Sequence, residues 1–74
     1  MLEIKLRQFG NCIILDLCGR IDVDSANLVE VVGQCVRDGY VDILCNLEDI
    51  QVIDYMGISV IVIAYKEVVN HQGR

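Results

Sequence analysis

Basic residues are scarce in this chain: six Lys and Arg stand against eleven Asp and Glu, a net charge of −5 over 74 residues. A nucleic acid or an anionic membrane surface needs a basic patch, so neither is expected as a ligand. No cysteine pair has Cys-x-x-Cys spacing, and His71 is the single histidine. Zinc sites draw their ligands in close pairs, so no metal is expected. Cys12, Cys18, Cys35 and Cys45 read as small buried hydrophobes rather than a disulfide framework. The Gly-x-x-x-x-Gly-Lys phosphate loop and the serine nucleophile elbow are both missing. Asp16, Asp22, Asp24, Asp42, Asp49 and Asp54 could pair as acid and base, but most fit solvated faces or helix caps. No enzyme and no cofactor are expected. Nor does the start resemble a signal peptide, since Leu2-Glu3-Ile4-Lys5 alternates. The most apolar window, Ile58 to Tyr65, is too short to span a bilayer. A cytoplasmic protein is expected.

What is abundant is apolar surface. Hydrophobic residues make up 54% of the sequence, with a mean hydropathy of +0.47. One small domain cannot bury that much, which points to cover from a partner or a second copy.

Leu2, Ile4 and Leu6 alternate with Glu3, Lys5 and Arg7, the period of a half-buried strand. Gly10-Asn11 makes a tight turn. Cys12 to Cys18 follows as a central strand, with Ile13, Leu15 and Leu17 on one face and a thinly covered second face. Gly19-Arg20-Ile21-Asp22 ends it, and Val23-Asp24-Ser25 opens a helix with Asp22 or Asp24 as cap. Leu28, Val29, Val32, Cys35 and Val36 form an apolar stripe, and Asp38-Gly39 closes the helix. Val41 to Cys45 reads as a third strand, parallel to the second by a right-handed crossover. It stops at Asn46, because the polar segment Glu48 to Gln51 cannot continue a buried strand.

Asp54 then caps a helix from Tyr55 to about Gln72, with Gly73 as its C-terminal glycine. Gly57 costs propensity in the first turn, which implies close approach of another backbone or of a partner. Ile58 to Tyr65 is apolar nearly all round, so the helix is expected to be buried on more than one side. After Gly73 a further strand would be expected, and none follows. A fragment that self-associates is favoured over a swapped homo-oligomer or a minimal unit that tolerates the exposure.

Three stretches in this order resemble the STAS family of anti-sigma-factor antagonists. Gly19-Arg20-Ile21-Asp22 is similar to the family's Gly-x-Leu/Ile-Asp. Asp42-Ile43-Leu44-Cys45-Asn46-Leu47 is similar to its third strand, and Ile53-Asp54-Tyr55-Met56-Gly57-Ile58 to its Ile/Met-Asp-Ser-Ser/Thr-Gly-Leu signature. The resemblance implies an α/β fold, β-β-α-β-α with a mixed sheet, forming a single partial domain over residues 1–74 without the usual fourth strand and third helix. It also implies a non-catalytic module that binds an anti-sigma factor or GHKL-type serine kinase and so regulates bacterial transcription. Asp22, Asp54, Tyr55, Met56, Gly57 and Ile58 would carry the partner surface, though Tyr55 and Met56 fit packing within their own domain as well. The family's phosphorylated serine is replaced here by Tyr55, so no phosphorylation site is carried over. The alternative is a self-associating STAS scaffold subunit of a larger signalling or transport complex.

Overall fold

A computed structural model describes residues 2–40 and 42–70. Its first elements follow the hydrophobic alternation. Strand β1 (Leu2–Phe9) and strand β2 (Cys12–Ile21) form an antiparallel hairpin, with Phe9 opposite Cys12 and Leu2 opposite Gly19. The two-residue loop needs a left-handed backbone, and Gly10 supplies it at φ +61°. Ile13, Leu15, Leu17 and Ile21 are buried on one face of β2. The alternation in β1 buries Leu2 and half-buries Ile4, but Leu6 and Phe9 stay exposed.

Helix α1 (Ala26–Arg37) crosses back over the sheet, burying Leu28, Val32, Cys35 and Val36. Gly39, at φ +94°, ends it with its N–H donating to the Val36 carbonyl at 3.0 Å. The start differs from expectation, because neither Asp22 nor Asp24 caps the helix. Ser25 occupies that position without a capping hydrogen bond from its side chain. Its hydroxyl turns back to accept the Asp22 N–H at 2.9 Å and donate to the Arg20 carbonyl at 3.2 Å. Asp22 Oδ1 accepts the Asp24 N–H at 3.0 Å, so this carboxylate shapes the turn rather than the helix.

Strand β3 (Asp42–Ile53) is parallel to β2 and lies at the edge of a sheet ordered β1-β2-β3. The expected stop at Asn46 is wrong: the polar residues Glu48 to Gln51 are strand. The register explains why. Asp16 pairs with Asn46 and Cys18 with Asp49; Gly19 pairs with Ile50 and Arg20 with Val52. Each step puts one extra residue into β3, a pair of bulges that let the ladder run on to Ile53. Ile43, Cys45, Leu47, Ile50 and Ile53 therefore stay at helix-facing positions although their spacing changes from two to three. At the first bulge, Asn46 Oδ1 accepts the Glu48 N–H at 3.1 Å.

Helix α2 (Tyr55–Asn70) packs against α1 and the sheet. It buries one stripe, Gly57, Val60, Ala64 and Val68, not the several sides its composition implies. Among the described residues only α1 and the inner sheet face flank it, so Ile58, Val62, Ile63, Tyr65 and Val69 remain exposed. The expected ends of this helix, at Gln72 and Gly73, and the expected start of the third strand at Val41 lie outside the described residues.

The opposite sheet face is held by polar contacts. Arg7 Nη2 donates to Asp16 Oδ1 at 2.9 Å, Arg7 Nε pairs with the other oxygen, and Asn46 Nδ2 donates at 2.9 Å. These bonds, Arg7's first and Asn46's next, hold the Asp16 carboxyl at about 2, below the ordinary carboxylate range. Because the folded value is the lower one, the carboxylate's contribution is complete above roughly pH 4 and is lost as pH falls through 2. Solvent screening at this exposed pair keeps it small. Urea midpoints measured from pH 5 downwards should fall less steeply for Asp16→Asn than for wild type; parallel curves would refute the assignment.

Candidate binding site at the start of the second helix

Asp54 links the end of β3 to α2 and is held three ways. Its N–H donates to the Ile21 carbonyl at 3.2 Å. Its Oδ1 accepts the Gly57 N–H at 2.8 Å, and its carbonyl accepts the Ile58 N–H at 3.2 Å. The expected N-terminal cap is therefore present. Gly57 is buried, and a Cβ there would lie 1.9 Å from the Ile21 carbonyl oxygen. Of the two expected reasons for this glycine, the approach of another backbone is met within the chain, by the end of β2. Close contact by a partner backbone is not what its missing side chain accommodates.

The packing fixes which way the first turn faces. With Gly57 and Val60 against the body, Tyr55, Met56 and Ile58 point out, at 84%, 48% and 56% exposure. Asp22 sits half-buried at the adjacent strand end, 3.6 Å from Arg20 Nε. The six expected residues are thus brought together: Tyr55, Met56 and Ile58 as surface, Asp54 and Gly57 as the fastening beneath, Asp22 at the border. Among the described residues no group of three His, Cys, Asp or Glu could hold a metal ion.

Sequence reasoning missed a second feature, an apolar cleft of about 240 Å³ between α2 and β3. Ile43, Cys45 and Leu47 form one wall, and Ile61, Ala64, Tyr65 and Val68 the other. Cys45, Leu47 and Tyr65 are exposed, so the cleft opens to solvent beside β3. Partial desolvation by the surrounding cleft raises the Cys45 thiol pKa above its usual value. The signal was present in the helical spacing of Ile61, Ala64, Tyr65 and Val68, but the polar bulge in β3 concealed the facing wall.

The profile of the STAS domain matches residues 3–74. The chain belongs to the STAS domain family. Solved structures agree in fold. The unphosphorylated anti-sigma factor antagonist SpoIIAA superposes with a TM-score of 0.74 at 17% identity, over 97% of this chain and 68% of that one. An anti-sigma factor antagonist from Mycobacterium paratuberculosis gives 0.81 at 15% identity, over 99% and 63%. A protein named Mglu gives 0.81 at 21%, over 95% of this chain and 18% of its own. No curated protein matches in sequence. This STAS domain thus spans about two thirds of the two antagonists, and among its described residues no helix is long and apolar enough to cross a membrane.

Proposed function

We propose that this STAS domain is a non-catalytic protein-binding module of the antagonist type, acting in the cytoplasm on an anti-sigma factor or GHKL-type serine kinase. The observation that carries the reading is the exposure of Tyr55, Met56 and Ile58 on a helix turn locked from below by Asp54 and Gly57. A rigid turn offering an aromatic ring and a flexible thioether suits the core of an interface. Asp22 and Asp54 supply a polar border. Tyr55 stands where the antagonist signature has its regulated serine, so the family's serine switch at that position cannot operate, and binding is constitutive.

The test is Tyr55→Ala with Met56→Ala, assayed for binding to serine kinases of the GHKL type encoded beside the gene. A loss of about 2 kcal/mol or more, some thirtyfold in affinity, is expected where such residues anchor an interface. Unchanged affinity with an intact circular-dichroism spectrum would end the proposal. A second reading, a self-associating scaffold subunit, is favoured by the exposed Val62, Ile63, Tyr65 and Val69 on α2. It predicts a homo-oligomer that persists on dilution in light scattering, whereas the module reading predicts a monomer.

A further inference from the structure

The sheet face away from both helices is divided by charge. By register β1 gives it Lys5 and Arg7, and β3 gives it Asp42 and Asp49. Arg7 is engaged with Asp16, whereas among the described residues Lys5, Asp42 and Asp49 are in no ion pair. Near the hairpin turn the same face is apolar. Phe9 is 80% exposed and Leu44 56%, with Cys12 and Ile14 half-buried between them. This is the thinly covered second face of β2. A strand added beside β3 would widen it and not cover it.

We propose that this face pairs with the same face of a second copy, about a two-fold axis running along β2. The direction of the axis follows from charge. An axis across the strands lays β1 on β1 and β3 on β3, which sets base on base and acid on acid. An axis along the strands lays β1 of one copy over β3 of the other. Lys5 then lies one register step from Asp49 of the second copy, and Arg7 one step from its Asp42, within reach of long side chains. Glu3 falls opposite Asp49, and the same Lys5 stands beside both. Ile14 meets its own counterpart on the axis, flanked by Leu44, where aligned sheets pack about 10 Å apart. Asp16 meets its counterpart too, but each carboxylate is already bonded by Arg7 and Asn46. The described strands make a face of roughly 400 Å² per copy, at about 4.8 Å between strands and about 3.3 Å per residue. An interface below about 1,200 Å² in total belongs to the weak class. The pair therefore forms on concentration and parts on dilution, unlike a persistent scaffold. It involves neither Tyr55 nor Met56 and does not depend on their role.

The experiment measures the mass of the whole chain by sedimentation equilibrium over a range of concentrations. The mass should rise towards two chains on concentration and return to one on dilution, and salt should lower the rise. Lys5→Glu and Asp49→Lys should each weaken pairing about tenfold, because like charges then meet between the copies. Mixed in equal amounts, the two variants should regain it, since each presents the charge opposite to the other's. Leu44→Asn should weaken pairing as well, which keeps the test open if a charge variant fails to fold. A short bis-maleimide should join two copies through Cys18, which lies along the axis, and not through Cys45 on the helix-facing side. A mass that does not change with concentration, mixed variants that pair no better than either alone, or linkage through Cys45 would overturn the proposal. So would an oligomer that persists on dilution and ignores both charge variants, since another surface would then hold it.

Discussion

Gly57→Ala will remove a large part of the stability of this domain. The added Cβ would sit 1.9 Å from the Ile21 carbonyl oxygen and 2.5 Å from its carbon, both backbone atoms that no rotamer change can move. Either β2 or the start of α2 must shift. A shift of α2 opens the Asp54 N–H bond to the same carbonyl and disturbs the cap on the Gly57 N–H. Alanine gains about 1 kcal/mol of helix propensity over glycine. Overpacking costs about 1–3 kcal/mol, occasionally more, and a lost cap about 1. The net expectation is a loss of about 1–3 kcal/mol. A domain of this size has only about 4–11 kcal/mol in total at 0.05–0.15 kcal/mol per residue. Urea unfolding followed by circular dichroism reads the change, and a midpoint at or above wild type would contradict the packing described.

Ser25→Ala is the second large effect. Ser25 is fully buried, the one buried polar residue among the described residues. Its hydroxyl satisfies the Asp22 N–H and the Arg20 carbonyl where β2 turns into α1. Removing it takes from the Asp22 N–H the acceptor it has here, at about 1–3 kcal/mol. Asp24 is the contrasting position. It is exposed, and only its backbone N–H is engaged, by Asp22. Asp24→Ala should change stability by no more than about 0.5 kcal/mol. The pair separates two accounts of the same turn, since a capping Asp24 would reverse the order of the two losses. Urea midpoints of the two variants decide between them.

The elements legible in the sequence are those whose periodicity is unbroken. Ile13, Leu15 and Leu17 placed β2, and Leu28, Val32, Cys35 and Val36 placed α1, because one side chain set faces one core. Asp54 was legible as a cap, since its carboxylate precedes a long helical run and has a free N–H to accept. The run of β3 beyond Asn46 was not. Its two bulges shift the alternation, so Glu48 and Gln51 look like a loop although the ladder continues. Ser25 was passed over because a hydroxyl that bonds backward looks, in sequence, like one that caps forward. The burial of α2 was overestimated for a different reason. An all-round apolar helix shows what could be covered, and the described residues cover only one stripe of α2. At the candidate site the grouping of Asp22, Asp54, Tyr55, Met56, Gly57 and Ile58 was legible, but their division into fastening and surface required the geometry of Ile21.

That division is the central claim, and an NMR titration of the labelled chain with a binding GHKL-type kinase tests it most directly. The account predicts that side-chain signals of Tyr55, Met56 and Ile58 shift or broaden first, while those of the buried Leu15 and Val32 keep their positions. Perturbation centred on the β1–β2 hairpin or on α1, with Tyr55 and Met56 unmoved, would contradict it.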